Sequence, residues 1–464
     1  MDYMKRVLFD RHFYRNVFIV CTILFTVVFL NTLSSVLNLF LLVWGGLIIC
    51  KDILSKKTII KSKIYIPLLV FLIFDTCTLI INRELNLFEN FKIYLLSMLQ
   101  FFILFAFDNE EDEEYVFKNI MVFNRIIIIM TFILSSVSLI IYLLAINKEI
   151  GDYVIGMSAG GTMLNGVYTG PNTAGPLAAL SIIATLMNME LRHDNKKNKF
   201  LYINIIIQYI FICMTNSRAT LYSLLIFSFF YAIFYFNGLR NRTCSLGGFT
   251  IIYLISKVMN DFVYIVHKCI FDIIGFVKYL FLIVKQYFLY ILGNTQSVGE
   301  ISLNNTSSEI ITEAANKEIT MGFLNGRAQL WECGIDIFRD NFFFGIGSRN
   351  VTQVALNYRA FEDLPGIYGG GMHNLIIQTL VSNGILGFVA LGGFLIICII
   401  EFIKYFIGQK LTGKNSKIVL IVVLALLMQL INNMAEVNIF YTASYMATIF
   451  WTYLGFGIFM TKKI

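Results

Sequence analysis

Charge is scarce in this sequence, and so are the residues that break or staple folds. Only 14% of its 464 residues are Asp, Glu, Lys or Arg, against 58% hydrophobic residues. A water-soluble chain of this length needs more charge to cover its surface. Proline occurs 4 times and histidine 4 times. The 8 cysteines are scattered, mostly inside apolar runs and never as a Cys-x-x-Cys pair, which argues against a disulfide framework and against a metal cluster. Neither cofactor nor metal is expected. No long soluble stretch offers a nucleotide-sugar domain on an inner loop. The net charge of +7 is spread over short loops, so it reports topology and not a nucleic-acid surface.

What the chain has in abundance is apolar runs long enough to cross a bilayer. Reading them in order gives spans at 16–35, 37–50, 64–81, 92–107, 119–146, 171–189, 200–215, 219–236, 270–292, 385–406, 418–434 and 439–460. The expectation is therefore an all-α, polytopic membrane protein with about 12 transmembrane helices. The first run is long and a second follows at once, so it is expected to stay as an anchor and not to be cleaved.

Lys/Arg-rich segments such as "KDILSKKTIIKSK", "LRHDNKKNK" and "KYFIGQKLTGKNSK" fall on alternate loops of this threading. Positive charge marks the cytoplasmic side of a membrane. Both termini are then cytoplasmic, together with the acidic connector "DNEEDEE" (108–114). Loop 147–170, the hairpin around "TNSRAT" (215–220) and one large polar loop, 293–384, face outward. Between 249 and 292, Lys257, Asp261, Lys268 and Asp272 recur at helical spacing, as an interfacial amphipathic helix requires. Lys278 is placed to snorkel, whereas Lys285 falls deeper in the expected crossing, where a cation either snorkels or serves a site.

This topology gathers Arg218, Arg327 and His373 on the outer face. Arg218 sits at a tight hairpin, with contact to lipid headgroups as the alternative reading. Arg327 opens a helix whose apolar side is read as Leu330, Trp331, Gly334, Ile335 and Phe338. His373 precedes a long apolar run, where it either caps and packs or acts as a base. Guanidinium forks match phosphate oxygens, and an imidazole can take a proton from a hydroxyl. Such a set suits a reaction that expels a lipid phosphate while a hydroxyl attacks.

With "NGRAQLW" (325–331), "FFFGIGSRN" (342–350) and "MHNLIIQTLVSNGILG" (372–387), preceded by "GVYTGPNTAG" (166–175) and "TNSRA" (215–219), the chain resembles the superfamily of O-antigen ligases and O-antigen polymerases. It departs from that pattern in having no Pro before "GIG". The resemblance covers about residues 165–460, dividing the chain into N-terminal transmembrane helices (1–165) and a ligase/polymerase-like module (166–464).

The resemblance implies a metal-independent glycosyltransferase of the bacterial cytoplasmic membrane, with its site outside. Donor and acceptor would be polyprenyl-diphosphate-linked oligosaccharides, with a flippase and a chain-length regulator as partners. Arg218 and Arg327 would grip the diphosphate and His373 would act at the acceptor hydroxyl. Asn374 would hold the turn, Asn172 would open a membrane helix beside the site, and Glu436 would orient His373 or pair an arginine. The implied activity is repeat-unit polymerisation; a ligase that moves glycan to another anchor, and a transporter, are the alternatives.

Overall fold

The computed structural model describes residues 7–54, 63–144, 146–158, 163–192, 198–236, 327–364, 366–369, 371–408 and 413–463, and single positions within 258–273. Its helices are α1 (Arg11–Leu24), α2 (Ser34–Leu54), α3 (Ile66–Ile81), α4 (Leu87–Leu99), α5 (Glu113–Leu143), α6 (Pro171–Leu191), α7 (Lys199–Thr215) and α8 (Arg218–Tyr235). They continue with α9 (Arg327–Asp340), α10 (Val351–Tyr358), α11 (Leu375–Gly408), α12 (Lys414–Asn432) and α13 (Tyr445–Lys462). Among the described residues, eight helical segments are long and apolar enough to cross a membrane. The protein is an all-α polytopic membrane protein. The expected span 270–292, Lys278, Lys285 and the amphipathic positions 257–272 lie outside the described residues.

The helices sort by their periodicity of burial. α13 is buried on every side from Tyr445 to Met460 and forms the axis of the bundle. α6 is nearly as enclosed because Ala174, Gly175, Ala178, Ala179 and Ala184 let neighbouring backbones approach closely. By contrast, α2 exposes Val36, Leu39, Phe40, Val43 and Leu47, and α11 exposes Val389, Ile396, Ile400, Ile403 and Ile407. Apolar rows of that length are faces for lipid. Inside, polar side chains satisfy one another. Asn124 links Asn188 to Tyr453, and Gln208 joins Ser135 to Asn204. Each such bond between membrane helices contributes on the order of 1 kcal/mol and fixes helix rotation.

Besides the start of α11 at Leu375 and not 385, three features differ from the expected threading. The run 16–35 is not one helix. α1 stops at Leu24, Val27 turns extended and bridges Tyr168 before a one-turn helix at Val28–Asn31, and its neighbours bond to the same segment (Val28 N–H to Val167 O 3.0 Å, Thr169 N–H to Thr26 O 2.8 Å). The β-branched side chain of Val27 suits that backbone. Second, loop 147–170 holds an antiparallel sheet of β1 (Lys148–Ile150), β2 (Tyr153–Met157) and β3 (Leu164–Gly166) in the order β1-β2-β3. Third, the last helix begins at Tyr445 and not 439, because 433–444 form a folded hairpin over the bundle end.

The two ends of the bundle have separate contacts. At one end Arg11 pairs with Asp52, His12 with Glu111, and Asn415 with Glu113. At the other, residues 26–28, 78–86, 166–173, 216–217, 341–350, 366–374 and 433–445 come together, and this end carries the candidate site.

Candidate active site

α11 is broken in the middle, and the break builds the platform of the site. Gly384 has φ 62° and ψ −168°, a conformation open essentially to glycine alone. The helical hydrogen bonds lost there are replaced by the "FFFGIG" loop. Ile385 and Leu386 donate to the carbonyls of Phe342 and Phe343 at 2.8 and 3.3 Å, while Ile346 and Gly347 donate to Val381 and Ser382 at 3.0 and 2.9 Å. Inside a membrane such backbone groups must find partners within the protein. This gives the Gly-x-Gly motif its physical content. Gly345 takes φ 67°, and a Cβ on it would lie 2.5 Å from Val381 O. Thr78 and Asn82 at the end of α3 then hold Phe344 O and Gly345 O at 2.6 and 3.1 Å.

α9 and α10 pack on this platform through Leu330, Cys333, Ile337, Val351 and Ala355, with Met372 and Val381 beneath them. The apolar side of α9 is thus rotated from the expected one: Cys333 and Ile337 are buried, whereas Ile335 is 41% exposed. Gly334 is where α9 meets Met372 and Ile377, since a Cβ there would lie 2.6 Å from the Ile377 side chain.

The same packing sets His373. Its backbone is left-handed (φ 45°), a conformation a non-glycine residue keeps only when its surroundings enforce it. Trp331 Nε1–H donates to Met372 O at 3.0 Å, and Met372 N–H donates to Gln378 Oε1 at 2.9 Å. On the other side Asn374 Oδ1 caps α11 by accepting from Ile376 and Ile377, while its Nδ2 donates to Met434 O at 3.1 Å. Leu375 N–H donates to Asn433 O at 3.0 Å, which clamps the start of α11 to the 433–444 hairpin.

That clamp brings Glu436 to the imidazole. Glu436 Oε2 accepts from His373 Nδ1 at 3.0 Å. Its Oε1 accepts from Arg327 Nη2 and from Asn172 Nδ2, both at 3.1 Å. Asn172 Oδ1 in turn accepts from Ser217 Oγ at 3.2 Å. Side chains from three other chain segments therefore meet at one carboxylate, whose side chain is 14% exposed beside 20% for His373 and 26% for Arg327.

His373 Nε2 lies 3.1 Å from Gly366 O. A carbonyl and a carboxylate can only accept, so both ring nitrogens donate and the ring is drawn as the imidazolium. The hydrogen bond to Glu436 raises the His373 pKa above its ordinary value of 6.5, and burial and Arg327 oppose that rise.

Of the residues singled out in the sequence, Arg327, His373, Glu436, Asn172 and Asn374 are in one connected network. Arg218 is at the site's edge: it is exposed, it is the first residue of α8 after the N-cap Ser217, and its side chain makes no hydrogen bond or ion pair among the described residues. Among the same residues no three His, Cys, Asp or Glu side chains stand at metal-ligand spacing. Sequence reasoning did not single out Ser217, Trp331 as an anchor of the His373 turn, Gln378 or Gly366. Ser217 was visible as the neighbour of Arg218, whereas Gly366 acts through a carbonyl, which leaves no side-chain signal.

Residues 203–392 match the family model for O-antigen ligase. Over that stretch the chain is similar to the O-antigen ligase family. No curated protein matches it. Members are glycosyltransferase-like membrane enzymes that act on lipid-linked glycans. The matched stretch contains Arg218, Arg327 and His373, whereas Asn172 and Glu436 come from outside it. The O-antigen ligase-type segment thus contributes Arg327 and His373, and the 433–444 hairpin beyond it contributes the carboxylate that accepts from both.

Proposed function

We propose that this protein is a polysaccharide repeat-unit polymerase. It transfers a polyprenyl-diphosphate-linked glycan to the terminal hydroxyl of another lipid-linked repeat at the outer face of the bacterial cytoplasmic membrane. The observation that carries the reading is the Glu436 carboxylate holding Arg327 and His373 at 3.1 and 3.0 Å on the end of the bundle that also bears Arg218.

Arg327 uses one nitrogen on Glu436, and the rest of its fork is available to phosphate oxygens. Arg218, without an ion-pair partner among the described residues at the start of α8, supplies a second cation beside the backbone N–H groups of a helix N-terminus. The acceptor hydroxyl replaces Gly366 O at His373 Nε2, once that nitrogen has lost its proton. In the step itself the acceptor oxygen bonds to the anomeric carbon and the bond from that carbon to the diphosphate oxygen breaks. The hydroxyl proton goes to His373 Nε2, and polyprenyl diphosphate leaves. One displacement inverts the anomeric configuration. Glu436 keeps the imidazole oriented through Nδ1, as a buried carboxylate does for a catalytic histidine.

The test is genetic and chemical. His373→Ala and Arg327→Ala are introduced separately into a strain deleted for the gene. A normal long-chain ladder from both variants would refute the assignment, and single repeats are the expected product. Unattached full-length polymer in the null strain would instead assign the protein as a ligase.

A further inference from the structure

Beside the site the same end of the bundle carries two more cavities, both lined mainly by residues outside the O-antigen ligase match. The first, about 140 Å³, is lined by Thr26, Thr169, Thr173, Asn438 and Ser444 over the ring of Tyr445. It begins where the site ends, because Thr173 follows Asn172 and Asn438 lies two residues beyond Glu436. The second, about 200 Å³, has Phe18, Leu42 and Leu96 as an apolar floor and Ser35, Asn38, Glu89, Lys92 and Arg349 as polar walls. Ala443 lines both, so they are neighbours along one path.

The path changes character along its length. Near the site it offers hydroxyls and an amide, the groups that hydrogen-bond sugar hydroxyls without a net charge. At the far end it offers two cations. Lys92 pairs with Glu89 at 2.6 Å. The Arg349 backbone is fixed by Asn90, whose Oδ1 accepts its N–H at 2.9 Å, and its guanidinium makes no hydrogen bond or ion pair among the described residues. Asn38 Oδ1 is buried without a hydrogen-bond partner among the described residues. A buried acceptor without a donor costs free energy unless a ligand supplies one.

We propose that the two cavities form one acceptor track: sugar units lie over Thr26, Thr169 and Thr173, and the membrane-borne phosphate that anchors them lies at Arg349 and Lys92. This rests on the transferase reading of the His373 site, which the track feeds. A lipid-linked repeat and a phosphorylated lipid core share this chemistry. The apolar floor beneath Arg349 suits the start of a lipid chain in either case.

The test uses the full chain in vesicles with its lipid-linked donor and three acceptors that cannot themselves donate. These are the repeat as an alkyl glycoside, the repeat on a long-chain alkyl phosphonate, and a phosphorylated lipid core. Arg349→Gln is expected to raise KM about tenfold, the worth of one charge-assisted hydrogen bond, for an acceptor that bears phosphate or phosphonate, and to leave the alkyl glycoside's KM unmoved. Thr173→Val raises KM for the glycoside and the phosphonate alike. Which anionic acceptor responds to Arg349→Gln tells a lipid-linked repeat from a lipid core. An unchanged KM for all acceptors in both variants, with His373→Ala inactive, overturns the track and leaves the transferase reading in place. Full activity of His373→Ala overturns the transferase reading itself. If the Arg349→Gln effect follows the anionic-lipid content of the vesicles and not the acceptor, the cavity holds bulk-lipid headgroups and the track is wrong.

Discussion

Replacing Glu436 by glutamine changes one charge and almost no volume, so it isolates what the carboxylate does. In the native site Oε1 accepts from Arg327 and Asn172, and Oε2 from His373. Glutamine keeps an acceptor for the first two but turns an amide N–H₂ toward Nδ1. The imidazole must then accept at Nδ1, and its remaining proton moves to Nε2, where Gly366 O already waits. The nitrogen that should take the acceptor's proton has no lone pair in that tautomer. A hydrogen bond between charged groups at this low exposure is worth about 1.5–3 kcal/mol, which corresponds to a loss of about 10- to 150-fold in kcat. Donor KM should hold or fall, because Arg327 loses its competing carboxylate.

The pH profile adds a second reading of the same change. As the proposed base, His373 would act only when deprotonated, and its pKa is raised by the Glu436 hydrogen bond. The acid limb of kcat/KM therefore lies above pH 6.5 in the native protein and moves to lower pH in Glu436→Gln. Stability follows the same sign. A raised pKa means the His373–Glu436 contact stabilises fully below about 6.5 and less as pH rises through the folded value, so the melting-temperature gap between native and variant narrows in alkali. Initial rates and melting curves in detergent across pH check this. Native-like kcat with an unmoved acid limb would remove Glu436 from the chemistry.

Arg327→Lys keeps the charge but loses the fork that lets one side chain hold Glu436 and a phosphate together, so kcat/KM should fall about tenfold while folding is retained; steady-state rates in vesicles measure it. Gly384→Ala forces a side chain into a glycine-only backbone, with its Cβ 2.4 Å from Phe343, and should cost at least about 2–3 kcal/mol, seen as a lower melting temperature or loss of the detergent-stable form. At the opposite end Arg15 is 2% exposed, donates to Ile103 O and Ala106 O, and stacks 3.8 Å over Phe107. Arg15→Leu orphans two carbonyls beside the π-turn 100–104 and should destabilise by about 2–4 kcal/mol, with turnover per folded molecule unchanged, as thermal melts and active-fraction assays would show.

Most of the helical architecture was legible because a membrane span needs only length and hydropathy, both local properties. What was not legible depends on distant partners. Nothing in the apolar run 16–35 announces that Thr26–Val28 will pair with residues 167–169, some way down the chain. Nor did "SNG" announce a helix break, since Gly384 is tolerated there only because the Gly345 loop supplies its missing partners. The cations were visible as rare charges in an apolar chain. That Glu436 orients His373 or pairs an arginine came from the family resemblance alone, and that it does both came from neither the residues nor the resemblance, because an acidic residue in a hairpin reads the same whether it faces water or a histidine.

The charge count of the site explains why one carboxylate is set among three basic side chains. With His373 neutral and poised to accept a proton, Arg218, Arg327 and Glu436 sum to +1. In the proposed transfer, the sum rises to +2 when His373 takes the acceptor's proton, at the moment the diphosphate gains the electron pair of the breaking bond. The positive charge in the site and the negative charge on the leaving group therefore grow together, in partly buried surroundings where screening is weak. Without Glu436, Arg218 and Arg327 would stand uncompensated before donor arrives, and His373 would be pushed toward its neutral form by Arg327. The carboxylate thus does two opposed things: it lowers the standing positive charge so that the empty site is tolerable, and it raises the basicity of the group that restores that charge during transfer. Both effects need Glu436 within hydrogen-bond reach of both cations. That is why the hairpin 433–444 is clamped to the start of α11 by the hydrogen bonds of Asn374 and Leu375 to the Met434 and Asn433 carbonyls.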